Sequence, residues 1–257
     1  FIDGVNVSSW GLENFATNFK DAFTFMAGSL FGSQLRLSLL FWILGLIVGT
    51  SLGMMFSYFI YKKLRGYSFF RTILFLPSII SITVVIVLYK TFININIGPA
   101  MGYPSGITDE PSLMVPQLIF FTLWFSFGTS VLMYSNAMCN ISTEVVEAAE
   151  LDGATGFKEF WHISLPGVYS TFCVFFVSSV AGICTNQHNV WTFYGTEAPE
   201  QVQTIGYYIF QQSHMVSESG QGKYTMLAAF GIILTLIAVP LTLGARKLLE
   251  RIGPSST

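Results

Sequence analysis

The sequence is poor in charge. Asp, Glu, Lys and Arg make up only 10% of its 257 residues, against 52% hydrophobic and 16% aromatic residues, too little charge to cover a soluble globule. No carboxylate falls inside any of the long apolar runs. A charge at the bilayer centre costs about 2.5 to 3.5 kcal/mol on insertion scales, and ion-driven carriers often accept that cost because the coupling ion needs an anionic site. If this chain moves a solute uphill, the energy must therefore arrive from outside its membrane core. A phosphate-binding G-x-x-x-x-G-K-[ST] loop is also missing, since Gly220-Gln221-Gly222-Lys223-Tyr224 fails both the spacing and the final hydroxyl. His162, His188 and His214 stand apart without metal-ligand spacing, and no nucleophile, base and orienting group can be assembled around them. The chain is expected to be non-catalytic, with no metal and no cofactor of its own. Cys139, Cys173 and Cys184 lie in or beside apolar segments without CxxC spacing and read as small membrane residues. A net charge of −2 excludes a nucleic-acid footprint, which needs a basic face. No secretory signal is visible and the chain starts at Phe1, so a segment upstream of it is expected.

What is present is apolar length. Five runs, at about 36–60, 69–92, 113–138, 166–187 and 224–245, are each near the roughly 20 residues that cross a hydrocarbon core. Lys62, Lys63, Arg65, Arg71, Lys158, Arg246, Lys247 and Arg251 collect on one side of these spans. Lys20, Arg36, Lys90 and Lys223 fall on the other. The positive-inside rule puts the first set, and with it the C-terminus, in the cytoplasm. Residues 1–32 read as an external segment in which Ser9–Met26 has the periodicity of an interfacial amphipathic helix. Residues 33–246 read as the transmembrane domain and 247–257 as a cytoplasmic tail. The expected fold is an all-α integral membrane protein, a polytopic helical bundle.

One polar interval breaks the apolar pattern, Asn140–Pro166, NISTEVVEAAELDGATGFKEFWHISLP. Ser142 can cap a helix with Glu144 in its first turn, and Gly153 can end that helix in the left-handed conformation. A second short helix is expected from about Phe157 to His162, with Pro166 opening the next span. Ala148 and Ala149 give a flat face that lets a partner backbone come close, and Glu147 offers a carboxylate to a basic partner. Phe157 and Phe160 are expected to lock the second helix onto the first.

Glu147, Ala148, Ala149, Asp152, Gly153, Ala154, Phe157, Phe160, Ile163, Leu165 and Pro166 resemble the EAA loop in permease subunits of binding-protein-dependent ABC importers, in the carbohydrate branch of maltose- and glycerol-3-phosphate-type permeases. The resemblance extends to Gly11–Phe15, to Phe70, Arg71, Thr72, Phe75, Leu76, Pro77 and Ser81, to Trp124 and Gly128, and to Thr204–Tyr208. One departure is Thr143, where family members commonly carry a proline before the hairpin.

The resemblance implies a type I importer fold with one further span upstream. It implies a location in a bacterial or archaeal cytoplasmic membrane, in contact with lipid. The implied partners are a second permease subunit, two ATPase subunits that hold ATP and Mg, and an external or periplasmic solute-binding protein. In such a machine the hairpin docks on an ATPase. The helices on either side of it line the path, which singles out Trp124, Ser130, Asn136, Ser179, Asn186 and Gln187 for a carbohydrate cargo. Amide groups suit sugar hydroxyls, and Trp191, Phe193 and Tyr194 offer ring faces beside them. Thr204–Tyr208 is expected as an external re-entrant or surface element before the last span. The rival readings are an ATPase-independent carrier or channel, which the missing intramembrane carboxylates disfavour, and an intramembrane enzyme or scaffold.

Overall fold

The computed structural model describes residues 12–104, 106–219 and 224–253. Among them there is no strand. The helices are α1 (Leu12–Met26), α2 (Ser29–Tyr61), α3 (Tyr67–Ile79), α4 (Ile82–Ala100), α5 (Met114–Met138), α6 (Thr143–Leu151), α7 (Phe157–Gly167), α8 (Tyr169–Gly182), α9 (Val190–Tyr194), α10 (Ile205–Ser219) and α11 (Tyr224–Ile252). The expected helix start at Ser9, the Gly220–Lys223 stretch and the last four residues lie outside the described residues.

Helices α2, α4, α5 and α11 are long and apolar enough to cross a membrane, and α7 with α8 passes the same test only as a pair bent by 63°, the geometry of a broken span or of a re-entrant loop. Ile73, Leu76, Ile79, Val84, Val87, Leu88, Leu236, Val239 and Leu241 all face outward, a distribution that suits lipid and not water.

The chain forms two compact units, residues 1–40 with 181–243, and residues 41–180 with 244–257. In the first, α1 lays Phe19, Ala22, Phe25 and Met26 against a core of Phe31, Ile205, Ala229, Phe230, Ile233 and Leu234, and the Phe25 ring stacks on Tyr208 at 4.3 Å. One stripe of α1 is thus covered by the chain itself, while Phe23 on the same helix is exposed. The Ser38 hydroxyl accepts the amide of Ile205 at 3.2 Å. Thr204, Ile205 and Tyr207 are fully buried, so of the two expectations for Thr204–Tyr208 the exposed surface element is excluded. A side chain at Gly206 would lie 2.5 Å from the carbonyl of Asn186, so only glycine lets these two backbones touch.

In the second unit α5 is the hub. Gly53 of α2 faces Ser130 and Tyr134, and the Ser57 hydroxyl shares its proton between Gly53 O at 2.6 Å and Val131 O at 2.8 Å. Small residues bring the backbones close and a hydroxyl ties them, as expected where lipid supplies neither packing drive nor partners. Met54, Tyr134, Met138 and Val168 form the core at one end of this unit, joined by Tyr58, Phe160, Leu165 and Phe172.

The structure corrects several expected boundaries. The run at 69–92 is two helices parted at Ile80, whose backbone is extended, with Ser81 at the N-cap of α4. Pro77 lies inside α3. Pro166 lies inside α7, before the bend that separates α7 from the helix starting at Tyr169. Helix α2 starts at Ser29 and α11 runs to Ile252, so the boundaries expected near residues 33 and 246 fall inside helices.

Candidate functional site

The interval Asn140–Pro166 folds as the expected helical hairpin. Ser142 takes the N-cap position of α6 with extended backbone, although its side chain makes no capping bond. Helix α6 stops at Leu151 because Gly153 turns left-handed, with φ of +80°. The amide of Ala154 then bonds Ala149 O at 2.8 Å, and that of Gly153 bonds Glu150 O at 3.1 Å, which satisfies the carbonyls a helix end leaves over. Gly156, also at positive φ, redirects the chain into α7.

The hairpin has two unlike faces. Turned inward are Phe160, whose ring meets Tyr58 edge-on at 5.1 Å, and Leu165, packed in the core around Met54 and Met138. Ala149 and Ala154 are half-buried, whereas Glu147, Ala148, Asp152, Gly153 and Pro166 are exposed. Leu151 is 89% exposed and Phe157 76%, with Trp161 stacked beside Phe157. Phe157 therefore does not lock α7 onto α6.

A group not singled out in the sequence performs that task. Lys62, just past the end of α2, places its Nζ 2.7 Å from Glu159 Oε2 on α7 and 3.2 Å from Glu150 Oε1 on α6. The Glu159 side chain is only 1% exposed. One turn back, the Tyr58 hydroxyl lies 2.9 Å from Gly156 O and 3.2 Å from Glu159 Oε2. Burial disfavours the charged form of Lys62, but its hydrogen bonds to Glu159 and Glu150 outweigh this and raise its pKa above the ordinary value. The lysine stays charged, and removing one partner of such a pair strands a buried charge, at about 3 kcal/mol or more. In the sequence Lys62 reads only as one of several cations beside a span. Nothing local links it to glutamates about ninety residues away.

The expected path residues scatter. Trp124, Ser130 and Asn136 lie on α5 six residues apart, which at about 100° per residue points them in three directions about 120° apart. Trp124 is partly exposed beside Phe121. Ser130 bonds back to Ser126 O, and Asn136 is exposed in the last turn of α5. On α8, Ser179 Oγ accepts the indole N–H of Trp42 at 3.0 Å. Asn186 and Gln187 belong to the other unit. There Asn186 Oδ1 accepts the amide of His188 at 2.8 Å, while Gln187 Oε1 is buried without a hydrogen-bond partner. Phe193 is core, 3% exposed, and Trp191 is covered by the His214 ring at 4.6 Å, so neither presents a bare ring face. Among the described residues no three His, Cys, Asp or Glu side chains converge as metal ligands.

The family described as "Binding-protein-dependent transport system inner membrane component" matches residues 26–253. The multiple sugar-binding transport system permease protein MsmF of Streptococcus mutans is 26% identical over 204 residues, 76% of this chain and 70% of that protein. The osmoprotective compounds uptake permease protein GgtC of Synechocystis is 26% identical over 253 residues, 93% of this chain and 85% of that protein. The sn-glycerol-3-phosphate transport system permease protein UgpA of Agrobacterium fabrum is 23% identical, with 96% and 83% covered. Among solved structures, a bacterial alginate ABC transporter in complex with an alginate pentasaccharide-bound periplasmic protein contains a chain that superposes with a TM-score of 0.76. Identity there is 21%, over 96% of this chain and 89% of that one, so this likeness concerns the fold.

Proposed function

The chain belongs to the family of binding-protein-dependent transport system inner membrane components, as a non-catalytic, multi-pass permease subunit of an ATP-driven ABC importer, and from this premise we propose how it works. Hairpin 140–166 is the element that receives the work of ATP hydrolysis. It docks on a partner ATPase through its outward face, Glu147, Ala148, Leu151, Asp152, Phe157 and Trp161, while Phe160 and Leu165 hold it to the membrane helices.

The observation that carries this reading is the exposure of Leu151 and Phe157. Large apolar side chains on a polar hairpin, held from behind by a buried ion pair, are a surface built for a protein partner. The lysines and arginines beside α2 and at the end of α11 support a cytoplasmic position for the hairpin and the C-terminus.

The cargo we propose is a carbohydrate delivered by an external binding protein, with a second permease completing the path and ATP and Mg held by the two ATPase subunits. The candidate path residues of this chain are Trp124, Ser130 and Ser179 in one unit and, separately, Asn186 and Gln187 in the other. Asn136 is left out, since it sits at the hairpin end of α5. The test is ATP-dependent uptake of labelled oligosaccharide into proteoliposomes holding the assembled importer and its binding protein. Uptake without ATP would refute the reading.

Charge at the docking face gives a second check. Glu147→Lys should lower co-purification of the ATPase about tenfold, through a lost and then repulsive contact with a basic partner. Undiminished co-purification would remove Glu147 from the contact.

A further inference from the structure

We propose that Lys62 is a positioning residue for transport, a clamp that makes α2 move with the hairpin. This rests on the reading of the hairpin as the element that receives work.

The chain itself joins the hairpin to only two membrane helices, α5 before it and α8 after it. Helix α2 lies far away in sequence, yet all three parts of the hairpin converge on its last turn. Helix α6 arrives through Glu150 at 3.2 Å and α7 through Glu159 at 2.7 Å, both on the one Lys62 ammonium. The turn between them arrives through Gly156 O, 2.9 Å from the Tyr58 hydroxyl. Phe160 packs on the Tyr58 ring from α7. A single cation bridging two helices leaves them little freedom to move apart or to slide along α2. Glu159 deepens the constraint, because its other oxygen, Oε1, is buried without a partner, so the carboxylate depends on Lys62 and Tyr58 for its compensation.

One residue before Tyr58, Ser57 hydrogen-bonds Val131 O of α5. A displacement of the hairpin therefore reaches α2 at Lys62 and Tyr58 and passes along its packed contact with α5. Without Lys62 the hairpin would still dock, but α2 would receive its movement only through the Tyr58 hydroxyl and side-chain packing.

The experiment uses the assembled importer in proteoliposomes, with uptake and ATP hydrolysis measured on the same preparation. Lys62→Met should lower solute moved per ATP hydrolysed by about tenfold or more while ATPase co-purification stays at the parent level. Lys62→Arg should keep coupling. The exchanged pair Lys62→Glu with Glu159→Lys should recover it to within about threefold of the parent, where each single change fails. Unchanged solute per ATP in Lys62→Met would overturn the proposal. So would an exchanged pair no better than its single changes, or loss of the ATPase from Lys62→Met, which would make the lysine a requirement for docking and not for transmission. The docking reading fails separately, when a change on the outward face such as Leu151→Glu leaves the ATPase bound.

Discussion

A Gly128→Ala chain should fail to give a monodisperse transporter in detergent. Gly128 is buried in α5 where α3 crosses it. A Cβ at this position would run into the carbonyl oxygen of Leu74, with the Leu74 carbonyl carbon at 2.7 Å and the Phe75 Cα at 3.4 Å. All of these are backbone atoms, so no rotamer change relieves the overlap and the two helices must part. Overpacking usually costs about 1 to 3 kcal/mol. A clash with fixed backbone belongs at or above the top of that range, a large share of the roughly 5 to 15 kcal/mol that holds a protein together. Gly49→Ala is the matched control, because its added Cβ would meet only Leu123 Cδ2 at an ordinary 3.6 Å. Size-exclusion profiles and melting curves of the two variants decide the matter, and a Gly128→Ala protein that melts with the parent would refute the close crossing.

The double change Leu151→Glu with Phe157→Glu should abolish association with the ATPase while the permease stays folded. Leu151 and Phe157 are exposed, so charging them costs the isolated fold little. In a docked complex each would give up about 1.5 to 3 kcal/mol of burial, and each new carboxylate would add a desolvation penalty. A combined loss of roughly 4 kcal/mol is about a thousandfold in affinity. Co-purification of the ATPase measures it, with circular dichroism and melting of the permease alone as the fold control. A stoichiometric complex from the double variant would take the docking role away from this face.

How much of this could be read from the residues depends on the range of the interaction. Helix α5 matches its apolar run to within a residue because a lipid-spanning length is a local property. Gly153 ends α6 as expected because only a left-handed residue closes that turn. The gap at Ile80 and Ser81 was not legible. Apolarity continues unbroken through it, and Pro77 does not mark it, since a proline disturbs the helix on its N-terminal side, near Ile73, and not three residues after itself. The outward turn of Phe157 is hidden in the sequence for a related reason. Aromatic residues in a hairpin say that something is covered, and only the fold shows that Phe160 turns toward Tyr58 while Phe157 turns away. Lys62 is the extreme case, its partners fixed by tertiary structure alone.

Helix α2 carries one more irregularity, a single wider turn of π-helix over Gly45–Gly49. Such a turn bonds i to i+5 and so holds one residue more than the α-helical turn it replaces. Trp42 lies before it, bonded to Ser179, and Ser57, Tyr58 and Lys62 lie after it, bonded to α5 and the hairpin. Were these same residues wound as plain α-helix, everything after Gly49 would be rotated by about 100° relative to Trp42. In the language of insertions and deletions, the wide turn is slack of one residue. It keeps both ends of α2 facing their partners, and it marks the place in this helix where a change in chain length can be absorbed without turning Lys62 away.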